Sequence, residues 1–394
     1  MKVLFVVGSL QSGGVSKSMI NLLNVWDVDK YDTSLLLCSK DKDIFSRYVP
    51  KGVRILYDPV IEHVMGRVSS AKWLLFHGHL LLSLGVLLRM VIGAVSKPLS
   101  GRMIARMMPV IDKQEYDLVV DYGGQQLLYY MIDKLNGKVK VSFFHSDYDK
   151  WNYYYSADKL YYPHVDKIFT ISEICSASLK KYFPDCSDKI EIMENVSVPE
   201  VITKLSEEEV ELPEKQFKFV TVGHVCYNKG IDFAIDAASI LQEKGYDFLW
   251  IFVGLVQDTK WLEEVSRRGL TEHFLFTGPV PNPYPYIRLA DVFVHPSRFE
   301  GKSIALDEAK ILCKPVVVTN FSTVNDQFTD SLNASICDMS GEDVAAKIIE
   351  LLEDNELKKQ YVANLGQRVE DNSSEVKKLY SLLEVNEQNE QKKF

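Results

Sequence analysis

The short apolar run Asp291-Val-Phe-Val-His-Pro296 breaks into Ser-Arg-Phe-Glu-Gly301, and a helical pattern then starts near Ser303 with Ile304, Leu306, Ala309, Ile311 and Leu312 on its apolar side. A continuous apolar run of this length reads as a strand buried on both faces of a parallel sheet. The stretch is therefore a strand–loop–helix unit, and it constrains the chain more than any other. Open α/β sheets bind ligands at the carboxyl ends of their strands, where this loop must lie. Glu300 and Glu308 bracket the loop and the first turns of the helix. The backbone N–H groups of Ser303 and Ile304 would open the helix, and a helix start of this kind offers a site for phosphate.

Two carboxylates beside a phosphate site suit hydroxyls carried by the same ligand, as in a sugar nucleotide. The spacing Glu300-x7-Glu308, with Gly301 after the first glutamate and Ala309 after the second, resembles the EX7E signature of retaining family 4 glycosyltransferases with the GT-B fold. The usual wording is close to E-G-F-G-x-x-x-x-E-A. Lys302 and Ser303 depart from it, which leaves the fold expectation intact and puts the identity of the sugar in doubt.

Length and composition fit that expectation. The 394 residues suit two domains of ordinary size. A hydrophobic content of 46% and a charged content of 25% are globular values. A net charge of −9 argues against general affinity for nucleic acid. Cys38, Cys175, Cys186, Cys226, Cys313 and Cys337 are scattered, without a C-x-x-C pair. They suit buried thiols in a reducing cytoplasm.

The chain opens on a strand at Val3–Val7. A glycine turn through Gly13 and Gly14 follows, then a helix from about Ser16 to Val25. The turn is neither a P-loop, since Gly14 and Lys17 are separated, nor a G-x-G-x-x-G fingerprint. It is similar to the loop with which family 4 enzymes approach the donor diphosphate; a tight turn needing φ > 0 would also explain both glycines. Further strands are expected at Thr33–Cys38, Arg54–Tyr57, Leu118–Tyr122, Val139–His145, about 167–171 and about 190–196. His145 stands at a strand end, where relatives often place a histidine near donor and acceptor.

Trp73–Val95 is an apolar run of 23 residues carrying one formal charge, Arg89. The length would span a bilayer, but Arg89, His77 and His79 weigh against spanning. Residues 66–108 hold six basic side chains (Arg67, Lys72, Arg89, Lys97, Arg102, Arg106) and no acidic one. Such a region suits contact with an anionic membrane face.

The charged segment 201–215 reads as a linker between a domain at 1–200 and a second at 216–370, with a C-terminal helix and polar tail at 371–394. Residues 384–394 are expected to lack structure. In the second domain strands are expected at Phe217–Val222, Phe248–Val253, Phe274–Thr277 and Val316–Thr319. Helices are expected at Ile231–Glu243, Gly341–Leu352, 356–369 and 374–384. Val222-Gly223-His224 leads to Lys229-Gly230, similar to the family's V-G-R-x-x-x-x-K-G, in which the Arg and Lys clamp the diphosphate. His224 replaces the arginine.

The resemblance covers nearly the whole chain. It implies two Rossmann-like domains facing a cleft and transfer of a hexose with retention from a nucleotide sugar, a UDP-sugar by expectation. The acceptor would be a glycan or lipid-linked glycan of a bacterial capsule, exopolysaccharide or O-antigen. Glu300 would hold the sugar, Glu308 the ribose and Lys229 the diphosphate. Gly13, Gly14, His224, Lys302, Ser303 and Ile304 would line the donor, and His145 would stand near the reacting centre. No metal or other cofactor is called for. The expected place is the cytoplasm, at the inner face of the cell membrane. A GT-B epimerase or a non-catalytic sugar-nucleotide-binding partner would use the same residues.

Overall fold

Seven short runs of the first half form one parallel sheet: β1 Lys2–Ser9, β2 Asp32–Ser39, β3 Val53–Tyr57, β4 Tyr116–Asp121, β5 Gly137–Phe144, β6 Lys167–Thr170 and β7 Ile190–Ile192. Their order is β3-β2-β1-β4-β5-β6-β7. Val3 to Val7 are buried almost completely, as expected of a central parallel strand covered by helices on both faces. A second parallel sheet holds β8 Phe217–Val222, β9 Phe248–Val253, β10 Phe274–Gly278, β11 Val292–His295, β12 Val316–Thr319 and β13 Ser335–Cys337. Its order is β10-β9-β8-β11-β12-β13. In both sheets the first strand lies beside the fourth and the direction of winding reverses there, which makes a switch point for ligand.

The computed structural model describes residues 1–11, 13–41, 43–366 and 371–391, without the side chains of 386–391. The chain forms two units. One comprises Met1–Gln11, Val15–Val196 and Ser373–Phe394, and the other Ser12–Gly14 with Ser197–Asn372. The segment 201–215 starts inside a helix, Pro199–Leu205, whose Ile202 is buried in a core of the second unit.

The expected structureless tail is helical as far as Gln391, in the helix Lys377–Gln391; residues 392–394 lie outside the described residues. Leu379 and Leu383 of that helix are buried. Tyr380 stacks on Tyr31 with ring centroids 5.2 Å apart, and its hydroxyl accepts from the backbone N–H of Asp27 at 2.8 Å. Burial of this apolar face outweighs the polar composition around it. The helix expected at 356–369 is Asn355–Gly366, and 367–370 lie outside the described residues.

The apolar run 73–95 is two helices rather than one, Val68–Phe76 and Leu80–Val95. They break at Gly78, whose φ of 84° suits a residue without a Cβ. No helix among the described residues is long and apolar enough to cross a membrane. Arg89 faces inward: it is 9% exposed, and its Nη2 donates to the Met65 carbonyl at 3.0 Å.

Candidate functional site

β8 and β11 pair side by side, so the loops leaving their carboxyl ends meet at the switch point of the second sheet. After β8 the chain passes Gly223 and His224 and turns through Tyr227–Lys229 into Gly230, which caps the helix Ile231–Glu243. Gly230 has φ 67°, and a Cβ there would collide with the Pro296 carbonyl oxygen. Only glycine lets the two loops close to this distance.

The closure brings Lys229 against Glu300. Lys229 Nζ lies 2.5 Å from Glu300 Oε1. His295, the last residue of β11, places Nε2 2.8 Å from the same oxygen and 3.1 Å from Ser297 Oγ. A carboxylate at that distance requires a proton on Nε2. The His295 ring is buried, and burial lowers its pKa more than Glu300 raises it, so it donates as a neutral imidazole. Its Nδ1 is buried without a hydrogen-bond partner among the described residues. Burial alone would push the Glu300 carboxyl up. The Lys229 charge and the His295 hydrogen bond outweigh burial and hold it well below the usual carboxylate range. From below, Thr323 Oγ1 donates to the Glu300 carbonyl at 3.0 Å and Thr319 Oγ1 to the Ser297 carbonyl at 2.5 Å.

Glu308 sits one helical stretch further on, in Ile304–Ile311. It is buried, and Tyr284 Oη donates to its Oε1 at 3.3 Å. The Ser303 amide, offered by the sequence to a phosphate, donates instead to Gln327 Oε1 at 2.9 Å. Gln327 Nε2 in turn donates to the Ser303 carbonyl and to Asp307 Oδ1, each at 2.9 Å. Gln327 thus caps this helix from a distant loop. Ile304 is buried and Lys302 half-buried. His224 Nδ1 lies 2.9 Å from Gln257 Nε2. Glu300, Lys229, His224, Lys302, Ser303, Ile304 and Glu308 therefore all belong to the second sheet's strand-end loops or the helix they open.

His145 belongs to the first unit, one residue past β5. Its ring packs 4.5 Å from Tyr122 and 5.6 Å from Phe143. Burial pushes its pKa down to about 4, although hydrogen bonds with the Tyr122 backbone and the Asn195 side chain pull the other way. Gly13, with φ 148°, leads into Gly14 at the start of the helix Gly14–Val25. No group of three or more His, Cys, Asp or Glu among the described residues is placed to hold a metal ion.

Residues 203–368 match the family described as Glycosyl transferases group 1. That segment, most of the second unit, is similar to a glycosyl transferases group 1 domain. The capsular polysaccharide biosynthesis glycosyltransferase CapM of Staphylococcus aureus is 27% identical over 174 residues, which is 43% of this chain and 46% of CapM. CapH of the same organism, of the same description, is 33% identical over 120 residues, 29% of this chain and 34% of CapH. The chain thus spans about a third to a half of the length of these curated relatives. The structure of Anabaena HepE in complex with UDP and glucose superimposes with a TM-score of 0.67 at 15% identity. That match covers 98% of this chain and 100% of HepE. The two parallel-sheet domains are those of the GT-B fold.

Proposed function

We propose that this protein is a retaining, family 4 glycosyltransferase that moves a hexose from a UDP-sugar to a lipid-linked glycan in the synthesis of a bacterial surface polysaccharide. One observation carries the reading: the largely buried Glu300 carboxylate held against Lys229 where the β8 and β11 loops meet. In this reading Lys229 neutralises the leaving diphosphate without a metal ion, an interaction that a low-dielectric setting strengthens. Glu300, fixed by His295, binds sugar hydroxyls. Glu308 takes the ribose, and His224, Lys302 and the Ile304 amide line the donor beside Gly13 and Gly14. HepE carries UDP and glucose in its crystal, which supports a UDP-hexose donor, and the names of CapM and CapH support the setting.

A thermal-shift screen with UDP-glucose, UDP-galactose and UDP-N-acetylglucosamine, followed by NMR of the product anomer, tests the donor reading. At least one should raise the melting temperature and be turned over to a product of the same anomeric configuration. Stabilisation by none overturns the reading; binding without turnover leaves a non-catalytic partner, and conversion of the donor without acceptor an epimerase.

The acceptor reading rests on the helices Val68–Phe76 and Leu80–Val95. They expose Phe76 (85%), Leu81 (83%), Val91 (69%) and Val95 (90%), with Leu75, Leu80, Leu84 and Leu88 at about half exposure. Apolar exposure on this scale marks an interaction surface. Lys72, Lys97 and Arg106 are exposed nearby in sequence, and each basic residue at an anionic leaflet contributes ~1 kcal/mol. The protein should sediment with anionic liposomes and lose that binding at high salt and on Leu81→Asp. Equal sedimentation with neutral and anionic vesicles, or with neither, would remove this part of the reading.

A further inference from the structure

The loop that carries Glu300 is fastened to the loop that carries Lys229 by one side chain outside the glutamate spacing. The Arg298 N–H donates to the Asn228 carbonyl at 2.9 Å. Its guanidinium carbon lies 3.6 Å from the centre of the Tyr227 ring and 4.0 Å from that of Phe233. Nη1 donates to the Tyr227 carbonyl at 2.5 Å and to Asp232 Oδ1 at 2.8 Å, and Nη2 donates to Asp232 Oδ2 at 2.5 Å. The side chain is 17% exposed, and Asp232 raises its pKa against the opposing effect of burial. It is a permanent cation.

Geometry makes this arrangement a clamp. Arg298 stands two residues before Glu300, and its partners Tyr227 and Asn228 stand immediately before Lys229. A shift of the guanidinium therefore moves the backbone under both members of the ion pair. Of the other supports, Gly230 against Pro296 and Thr319 on Ser297 fix the root of the β11 loop, and Thr323 on the Glu300 carbonyl holds the tip without reaching the loop that carries Lys229. Only a planar fork can bind a carboxylate with two parallel hydrogen bonds and also pack against aromatic rings. Lysine supplies the charge but neither the second bond nor the plane.

We propose that Arg298 is a positioning residue for glycosyl transfer, setting the separation of Lys229 and Glu300 by tying their loops together through Tyr227, Asn228 and Asp232. The proposal rests on the reading in which Lys229 and Glu300 serve the donor. A displacement of ~1 Å at a reacting centre can cost about 100-fold in rate, so the effect should fall on kcat more than on KM.

The test compares Arg298→Ala, Arg298→Lys and Asp232→Asn with Glu300→Gln, measuring kcat and KM on the UDP-hexose that wild type turns over, together with melting temperature. Arg298→Ala should lower kcat by about 30-fold and change KM by less than about threefold, with free guanidinium at low millimolar concentration restoring part of the rate. Arg298→Lys and Asp232→Asn should each lose about fivefold or more in kcat while remaining folded. If Arg298→Ala does not fold, those two variants decide. Wild-type kcat in both of them, or loss of rate only in proportion to unfolded protein, overturns the proposal. An inactive Glu300→Gln beside fully active Arg298 and Asp232 variants sinks the clamp alone. A fully active Glu300→Gln, or a wild type that turns over no UDP-hexose, sinks the reading of the site and the clamp with it.

Discussion

Two histidines stand at the carboxyl ends of parallel strands, His145 just past β5 and His295 at the end of β11. Both are packed against phenylalanine from their own strand and both have pKa values lowered by burial. They differ in what the next few residues do. After β5 the nearest carboxylate, Asp147, caps its own turn by accepting from the Asp149 N–H at 3.0 Å. After β11 the turn Pro296-Ser-Arg-Phe-Glu300 folds a carboxylate back onto the ring. The one histidine is a packed imidazole beside Tyr122. The other anchors an ion pair at a switch point. A strand-end position is therefore not enough to bring a histidine against a carboxylate; the loop that follows decides.

The contrast can be broken at four places. Glu300→Gln should lower kcat by about 100-fold, equivalent to ~2.7 kcal/mol of transition-state stabilisation, with UDP affinity changed by less than about threefold. Steady-state kinetics beside calorimetric UDP titration checks both halves, and equal losses in the two would make Glu300 a simple binding residue.

Lys229→Met should weaken UDP binding by about 10- to 150-fold, the range for one charge-assisted hydrogen bond. It should also destabilise the protein by about 2 kcal/mol at pH 7, since Glu300 is left buried beside only a neutral imidazole. The sign of the pH dependence follows from Glu300. Its folded pKa is depressed in wild type, so its contribution is full above the unfolded value of about 4.3 and is lost as pH falls below it. The variant lacks that depression. Urea unfolding curves of the two proteins should converge below about pH 4; a constant gap from pH 7 to pH 3 would contradict the ion-pair account.

His295→Phe removes the donor to Glu300 and should cost about 10-fold in kcat, whereas His295→Gln, which keeps an N–H near the Nε2 position, should retain most of the rate. Indistinguishable variants would mean that the ring serves packing alone. The smallest effect belongs to His145. With a pKa near 4, it should show no titration above about pH 5 by imidazole NMR, and the pH–rate profile should lack a limb at its usual value of about 6.5. A histidine limb near neutrality that disappears in His145→Asn would reverse the ranking of the two residues.

Most of both sheets was legible because continuous apolar runs ending in glycine or a breaker are what buried parallel strands require. β13 was not, since its three residues, Ser335–Cys337, form too short a run to stand out. The break at Gly78 had a visible signal in His77-Gly78-His79, hidden by the hydrophobicity on either side. At the site, Glu300, Glu308 and Lys229 could be singled out because their spacing and glycine neighbours repeat a known pattern. His295 could not: a histidine inside an apolar run reads as core. Arg298 and Gln327 were invisible for a different reason. Their partners Asp232 and Ser303 lie 66 and 24 residues away, and local sequence carries no record of such pairings.

The helix Lys377–Gln391 has a bearing on how the protein comes into being. The first unit ends at Val196, resumes at Ser373, and is closed by Tyr380 on Trp26 and Tyr31 and by Lys378 on the Ile192 carbonyl. On the ribosome, at the usual 5–20 residues per second, roughly ten to forty seconds separate the two parts. All of the second unit's chain but Ser12–Gly14 emerges in that interval, so the unit that begins first is completed last. Until then Trp26 and Tyr31 lack their cover, and the nascent first unit is the part most in need of protection from aggregation.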